Sequence, residues 1–215
     1  MRMRKKRWAR PELEKCKYFL KEPTSNKGKW NNAFLNKAPI HVELGCGKGN
    51  FISKIGMKNL DINYVAIDLK DDMLGYARRK IEEAFNGKEV NNIWLVAYDI
   101  ERIDDVFSSE DKIDRIYINF CNPWPRPKHR KRRLTHTKQL EKYKIFLNPG
   151  GEIHFKTDDM ELYLDSISYF EEAGFKIILK TDDLSKQYDE NNIVTEHEEM
   201  FTEQGIKIKK IIAKL

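Results

Sequence analysis

The sequence predicts an α/β fold, a mostly parallel sheet with helices on both faces. From Ile40 onward, short apolar segments alternate with segments whose apolar residues recur every three or four positions. This alternation is typical of parallel strands joined by amphipathic helices. Polar or glycine residues follow each predicted strand, which is where open parallel sheets bind ligands. A chain of 215 residues is long enough for one such domain.

Five predicted strands precede a final pair. They are Ile40–Leu44, Tyr64–Ile67, Ile93–Ala97, Ile116–Ile118 and Glu152–Lys156. Helices are expected at Asn50–Lys58, Asp71–Phe85 and Thr135–Phe146, and from about Met160. The last two strands, Phe175–Lys180 and Ile206–Ala213, are expected to pair with each other.

Residues 1–38 read as a basic and aromatic extension, followed by the domain proper at 39–215. The extension shows no strong periodicity, but its aromatic residues, such as Trp8 and Trp30, are expected to pack on the domain. Residues 1–10 are expected to be mobile. A disordered tail that folds on RNA is the functional alternative.

The net charge of +6 is concentrated in two segments. Residues 1–10 and 126–133 each carry six Lys and Arg and no acid. The rest of the chain contains 28 Lys and Arg and 34 Asp and Glu, so it is acidic. Basic patches on an acidic body are typical of nucleic-acid binding, although charge runs can also be merely solvated.

No apolar run approaches the roughly 18 residues of a membrane helix, so no membrane association is expected. The basic N-terminus is not followed by the apolar segment of a secretory signal. The three cysteines, Cys16, Cys46 and Cys121, are odd in number and widely spaced. This argues against a disulfide framework or a metal site and favours a cytoplasmic protein.

A glycine-rich loop follows the first strand of the domain. Glu43 precedes Gly45, Gly47 and Gly49, and a helix is predicted directly afterwards. Glycine permits a tight turn and a close approach of the backbone to a ligand. The spacing differs from both the dinucleotide fingerprint and the phosphate-binding P-loop.

Carboxylates stand at the ends of the next two strands. Asp68 ends the second strand, and a carboxylate there can accept hydrogen bonds from both ribose hydroxyls. Asp99 ends the third strand, where it could hold an adenine amine. Each acid alone would be read as a turn residue. Together with the loop they predict an adenosine cofactor, and Glu43 before the glycines favours S-adenosylmethionine.

The fourth strand leads into the turn Asn122-Pro123-Trp124-Pro125 and then into the basic segment, residues 126–133. The two prolines stiffen the turn because they fix backbone angles. Trp124 is expected either to stack on a base or to pack against the sheet. The basic segment is expected to bind nucleic-acid phosphates through Arg126, Lys128, His129, Arg130, Lys131, Arg132 and Arg133.

These motifs resemble the bacterial tRNA (guanine-N7)-methyltransferases, the TrmB family, over nearly the whole chain. The matching segments are the basic start from Arg2 to Trp8, Gly28-Lys29-Trp30, Val42 to Gly49, the Pro-Trp-Pro turn with its basic continuation to Leu134, Phe155 to Asp158, and Thr195 to Glu198. The Pro-Trp-Pro segment is the most specific of these, whereas the glycine loop occurs in many methyltransferases.

The resemblance implies a class I S-adenosylmethionine-dependent methyltransferase (Rossmann-like) fold with seven strands, the last two an antiparallel pair. It implies methyl transfer to N7 of guanine at position 46 in the variable loop of tRNA. Cofactor positions of the family match Glu43, Asp68, Asp99 and Asn122.

Substrate positions of the family match Arg126, Asp158, Thr195, Glu196, His197 and Glu198. At Arg126 the family usually has Lys. The family usually has Asp where this chain has Asn122, and Asn supplies a hydrogen-bond acceptor but no negative charge.

Guanine N7 carries an in-plane lone pair and no proton, so the reaction needs orientation and electrostatics rather than a general base. The product ring is cationic. With Asn at position 122, Asp158 is the predicted catalytic residue, because it could stabilise the developing charge and accept the guanine N1 and N2 protons.

Two alternatives stay open. Amino-methyltransferases that act on an adenine or an amide place an Asn-Pro-Pro-aromatic turn at the same strand end, and the Asn122 turn partly matches it. A non-catalytic RNA-binding protein of the same fold is the other alternative. The sequence is equally compatible with a monomer and a homodimer.

Overall fold

The computed structural model describes residues 6–187 and 192–215. Arg2 and Arg4, part of the basic start that carries the resemblance, lie outside the described residues. Six α-helices, eight strands and several short 3-10 helices make up the described part. The helices are α1 (Ala9–Glu14), α2 (Asn50–Lys58), α3 (Asp71–Phe85), α4 (Thr137–Phe146), α5 (Met160–Glu172) and α6 (Glu196–Glu203).

The strands form one sheet in the order β1-β4-β3-β2-β5-β6-β8-β7. They are β1 (Phe19–Leu20), β2 (Ile40–Leu44), β3 (Asn63–Asp68), β4 (Ile93–Ala97), β5 (Ile113–Asn119), β6 (Leu147–Thr157), β7 (Lys176–Thr181) and β8 (Lys209–Lys214). Only β8 runs antiparallel to its neighbours, β6 and β7. The predicted α/β class is therefore confirmed.

The expected number of seven strands is wrong, because the extension adds an eighth. Phe19 and Leu20 pair in parallel with Leu95 and Val96 at the edge of the sheet. This two-residue strand was not recognisable from the sequence, because two residues are too few to show any periodicity.

The extension is held by buried side chains and by hydrogen bonds to distant parts of the chain. Trp30 is fully buried, and its indole Nε1 donates to the carbonyl of Val106 at 2.9 Å. Its backbone N–H donates to the carboxylate of Asp111 at 3.0 Å. Ala9 is already buried in α1, so the expectation that residues 1–10 are mobile is wrong for the residues of α1, and residues 1–5 lie outside the described residues.

Several elements differ from the sequence predictions, in their bounds or in their presence. Helix α4 begins at Thr137, because the His136 side chain accepts from the backbone N–H of Lys138 and caps the helix. Strand β6 begins at Leu147, directly after α4, rather than at the predicted Glu152. Helix α6 was not predicted, because its eight residues include few apolar ones.

The two faces of the sheet bury separate cores. In β3, Tyr64 and Ala66 pack with α2 and α3 on one face, whereas Val65 and Ile67 face the core covered by α4 and α5. This alternation follows from the two-residue period of a strand. Among the described residues, no helix combines the length and the hydropathy needed to cross a bilayer.

Candidate functional site

A cleft of about 550 Å³ opens at the carboxyl ends of the central parallel strands. Its volume lies in the range of small-molecule sites. Six of the seven predicted cofactor positions line it: Glu43, Gly45, Gly47, Asp68, Asp99 and Asn122. The topology thus brings residues that are up to 79 positions apart into one site.

The glycine loop is anchored to the neighbouring strand and open toward the cleft. The backbone N–H groups of Gly45 and Cys46 both donate to the carbonyl of Ile67, at 2.9 and 3.0 Å. Gly47 has φ +53°, and a Cβ built there would meet no heavy atom within 4 Å. Its N–H donates to the Asp68 carboxylate at 3.0 Å, which joins the loop to the next strand end.

Gly49, the seventh predicted cofactor position, does not line the cleft. It has φ +79°, and a Cβ at this position would lie 2.5 Å from Cα of Ala77 in α3. Glycine is therefore required here for the close approach of α2 to α3. The spacing of the three glycines could not distinguish this packing role from ligand contact.

Alanine substitutions at the two glycines are expected to separate these roles. Gly49→Ala should lower the midpoint of thermal unfolding by several degrees, because the new methyl overlaps Ala77 and the backbone angle is strained. Gly47→Ala carries only the backbone strain and should cost about 1 kcal/mol. Calorimetric unfolding of the two variants measures the difference, and equal losses of stability would contradict the packing role of Gly49.

Glu43 is a buried acid with an unsatisfied oxygen. One carboxylate oxygen accepts from the Asn119 side-chain amide at 3.4 Å, and no described residue reaches the other. Burial raises the pKa of Glu43 to about 8. An orphaned buried acceptor is costly, so the site favours a ligand that brings a hydrogen-bond donor or a positive charge to Glu43.

Asp68 and Asp99 shape the strand ends at which they stand. The Asp68 carboxylate accepts from the backbone N–H groups of Gly47 and Lys70, at 3.0 and 2.9 Å. Burial raises the pKa of Asp68 above its usual value. The Asp99 carboxylate caps the 3-10 helix Ile100–Asp105 by accepting from the N–H of Glu101 at 3.0 Å. Both acids therefore act as turn residues and also line the cleft.

The turn after β5 has an unusual backbone. Phe120 and Trp124 adopt positive φ angles of 51° and 44°, although neither is glycine. Such residues are strained and occur preferentially at functional sites. The Asn122 side-chain oxygen accepts from the N–H of Trp124 at 3.0 Å. The turn thus needs an oxygen at position 122, which Asn supplies as well as Asp would.

Trp124 lies between the cleft and the basic segment. The guanidinium of Arg132 lies 4.3 Å from its ring centroid, a cation–π geometry. The His129 ring is 5.7 Å away. Both Trp124 and Arg132 line the cleft, and Arg132 also pairs with Glu101 at 2.6 Å. Part of the aromatic surface that could stack on a base is therefore covered by Arg132.

The basic segment separates into exposed and paired residues. Arg126, Lys128 and Lys131 are exposed, and no described acid lies within ion-pairing distance of them. Arg130 pairs with Glu161 and Asp165 of α5. The side chain of Arg133 is fully buried and pairs with the same two acids. The structure therefore places Arg133 away from any surface that a phosphate could reach.

Helix α6 brings three of the four residues of the Thr195–Glu198 element to the cleft. Thr195 caps the helix by accepting from the N–H of Glu198 at 3.2 Å. The His197 ring stacks on Phe120 with centroids 5.7 Å apart, and Glu196 pairs with Lys80. These three residues line the cleft.

Glu198 is instead buried beneath α6. Its carboxylate pairs with Lys156 of β6 at 2.8 Å and accepts from the Asn192 amide at 2.7 Å. Both members of the ion pair are nearly inaccessible to solvent. Glu198 therefore anchors α6 to the sheet.

Asp158 stands just beyond the end of β6 and is half-buried. It does not line the cleft, and no described residue donates a hydrogen bond to its carboxylate. The N–H of Phe120 donates to the carbonyl of Lys156 at 2.9 Å, so the chain approaching Asp158 contacts the strained turn. The acceptors of Asp158 are thus available to a substrate that extends past the cleft.

Several cleft residues were missed from the sequence, among them Asn119, Leu69 and Met73. Asn119 could have been found from the pairing of β2 with β5. Glu43 of β2 lies opposite Tyr117 of β5, and Asn119 is two residues after Tyr117 in β5. Leu69 is 62% exposed, an apolar side chain beside the acid Asp68. No group of three or more potential metal-binding side chains occurs within the described ranges.

Comparison with known proteins identifies close relatives. The family model described as "Putative methyltransferase" matches residues 37–211. A protein of Clostridium botulinum (strain Eklund 17B / Type B), called tRNA (guanine-N(7)-)-methyltransferase, is 59% identical over 215 residues, which is 99% of this chain and 98% of that protein. A protein of Clostridium perfringens (strain 13 / Type A) with the same name is 57% identical over 217 residues, 100% of this chain and 99% of that protein.

Solved structures of methyltransferases share the fold at low sequence identity. The 16S rRNA methyltransferase KamB superposes with a TM-score of 0.61 at 10% identity, covering 99% of this chain and 95% of that chain. An antibiotic-related methyltransferase gives a TM-score of 0.56 at 15% identity, covering 90% of both chains. These similarities support the methyltransferase fold of the domain.

Proposed function

The chain belongs to the tRNA (guanine-N7)-methyltransferase family, and we propose on this basis that it methylates N7 of guanine at position 46 in the tRNA variable loop. The methyl donor is S-adenosylmethionine. The observation that carries the proposed N7 methylation of a tRNA guanine is the identity of 59% over the whole chain to a protein named tRNA (guanine-N(7)-)-methyltransferase, whereas position 46 rests on the resemblance to the family. We place the reaction in the cytoplasm, where tRNA is modified.

The cleft fits S-adenosylmethionine. Glu43 presents a buried acceptor without a partner, and Gly47 leaves open space where a side chain would stand. The residues that would hold the cofactor are Glu43, Gly45, Gly47, Asp68, Asp99 and Asn122. When bound, S-adenosylmethionine supplies an electrophilic methyl group on a positively charged sulfur.

The substrate side of the site is formed by the turn after β5, the start of α6 and Asp158. Guanine N7 needs no base, so these groups act by orienting the base and by stabilising positive charge. Asp158 is proposed to accept from the guanine N1 and N2 groups and to stabilise the cationic product ring. Thr195, Glu196 and His197 also line the cleft, and the His197 ring stacks on Phe120 at the start of this turn.

We propose that the tRNA backbone is held by the exposed part of the basic segment, Arg126, Lys128 and Lys131. Their side chains have no described acidic partner, so binding phosphate breaks no ion pair. Phosphate contacts of this kind position the RNA without reading its sequence.

The triple variant Arg126→Ala, Lys128→Ala, Lys131→Ala should bind unmodified tRNA more weakly. The slope of log affinity against log salt concentration should become less steep by about 2 to 3, since each lost phosphate contact lowers the magnitude of this slope by about 0.7 to 0.9. Binding measured at several salt concentrations tests this. The matched control replaces Lys176, Lys180 and Lys207, exposed lysines outside the cleft; an equal change of slope in both variants would contradict the proposal.

Methylation of an exocyclic amine is less well supported. It requires the Asn122 side-chain oxygen to accept a hydrogen bond from the amine, and one of the two acceptor sites of that oxygen is already used by the N–H of Trp124. The order of residues in the turn also differs, because the aromatic residue precedes the second proline.

The proposed activity is tested by incubating unmodified tRNA with tritiated S-adenosylmethionine and digesting the product to nucleosides. Label is expected in 7-methylguanosine, and a tRNA with adenine at position 46 should accept none. Label in an N6-methyladenosine fraction would identify an amino-methyltransferase. Absence of both labelling and S-adenosylmethionine binding would indicate a non-catalytic RNA-binding protein.

A further inference from the structure

Arg133 connects three parts of the chain beneath the candidate substrate site. Its Nε donates to the backbone carbonyl of Pro123 at 2.7 Å. One terminal nitrogen, Nη2, pairs with Glu161 at 2.9 Å, and the other, Nη1, pairs with Asp165. The side chain is fully buried, which is rare for an arginine in a segment otherwise rich in exposed cations.

The carbonyl that Arg133 holds belongs to the strained turn. Pro123 lies between Asn122, which caps the N–H of Trp124, and Trp124 itself, whose φ is positive. A residue in this backbone region persists only when its surroundings hold it there. The hydrogen bond from Arg133 fixes the Pro123 carbonyl, and the acids of α5 fix Arg133 in turn.

Arg132 and Leu134, which precede and follow Arg133 in the sequence, both line the cleft. Arg132 covers Trp124, and Leu134 borders the glycine loop near Gly45. A shift of Arg133 would therefore move both the turn and the cleft wall. Displacements of about 1 Å at a reacting centre can lower a rate by about 100-fold.

We propose that Arg133 is a positioning residue for methyl transfer, which holds the Asn122–Pro125 turn against α5 and does not bind tRNA phosphate. This inference rests on the proposed function. The inference gives Arg133 a role different from that of the other basic residues of the segment 126–133, although the sequence alone predicts the same role for all of them.

The geometry explains why the residue is arginine. Its planar guanidinium directs Nε toward Pro123 while both terminal nitrogens reach carboxylates. Lysine carries the same charge but cannot hold three acceptors in this fixed arrangement. Arg130 also pairs with Glu161 and Asp165, at 2.6 and 3.4 Å, so Arg133→Lys leaves both acids with a counter-charge.

The test compares Arg133→Lys with Arg130→Lys. The two variants perturb the same acids, but only the first removes the bond to Pro123. The rate of single-turnover methylation is measured at saturating tRNA and S-adenosylmethionine. The temperature is one at which calorimetry shows each variant to be folded. The rate is expressed per mole of bound S-adenosylmethionine. We expect Arg133→Lys to lower this rate by about 10- to 100-fold, and Arg130→Lys to lower it less.

The dependence of tRNA affinity on salt distinguishes positioning from phosphate binding. Arg133→Lys should leave the slope at its wild-type value, and so should Arg133→Met, which removes the charge. A slope reduced by about 0.7 to 0.9 in Arg133→Met would show a phosphate contact and overturn the proposal. An unchanged rate per folded molecule in Arg133→Lys would show a purely structural role and also overturn it. Failure of the wild-type enzyme to methylate guanine would instead refute the proposed function.

Discussion

Replacing Asp158 with alanine is expected to lower methyl transfer to tRNA by about 100-fold or more while leaving tRNA affinity nearly unchanged. The carboxylate is half-buried, accepts no hydrogen bond from a described residue and stands beside the strained turn. Removing one preorganised electrostatic contact to a developing charge typically costs about 100- to 1,000-fold in rate. Single-turnover methylation and tRNA binding at fixed salt measure the two effects separately.

Asp159 provides the matched control for Asp158. It is the adjacent acid, but its carboxylate caps α5 by accepting from the N–H of Leu162 at 2.6 Å. Asp159→Ala should therefore lower stability by about 1 kcal/mol and reduce the rate far less than Asp158→Ala does. Wild-type turnover in Asp158→Ala would remove this residue from the reaction.

Replacing Glu43 with glutamine is expected to stabilise the free protein at alkaline pH and to weaken the binding of S-adenosylmethionine. Burial raises the pKa of Glu43 to about 8 in the folded protein, against 4.5 for an ordinary glutamate. Below about pH 4.5 the side chain is protonated in both the folded and the unfolded states. Between about 4.5 and 8 only the unfolded state ionises, so the contribution of Glu43 to the free energy of unfolding falls as pH rises through this window.

The glutamine variant has no such ionisation. The free energy of unfolding of Glu43→Gln should therefore exceed that of the wild type by a growing amount as pH rises from 5 to 8.5. Urea titrations at several pH values measure this difference. Calorimetry at pH 8.5 should show weaker S-adenosylmethionine binding by about 10-fold or more, because a charged hydrogen-bond acceptor is lost. Unchanged affinity would show that Glu43 does not contact the cofactor.

Much of the fold could be predicted because its signals are local. The helices at Asn50–Lys58 and Asp71–Phe85 and the strands at Ile40–Leu44 and Ile93–Ala97 have the predicted bounds. Each shows its own period of apolar residues, with glycine or Asn-Gly nearby. Because the strands are parallel, their carboxyl ends lie together, and the sequence alone therefore places Glu43 and Asp68 in one cleft.

The rest depended on partners that are distant in the chain. Glycine at position 49 is required by Ala77, and nothing in the loop itself indicates that contact. Arg133 looks like its basic neighbours until Glu161 and Asp165 are placed beside it. Glu198 was grouped with residues that touch the substrate, but its partner is the buried Lys156. A pattern of residue types shows which chemistry is available, and tertiary packing decides which residues use it.

The anchoring of the extension has a consequence for the order of folding during synthesis. The part of the extension from Phe19 to Trp30 is translated before the groups that hold it, Leu95, Val106 and Asp111, which lie between 76 and 81 positions further along the chain. The segment therefore leaves the ribosome without its binding partners and is completed only after β4 and the following loop have emerged. We expect a nascent chain stopped before residue 95 to leave Trp30 exposed to water, so that this segment is among the later parts of the described chain to reach its final position.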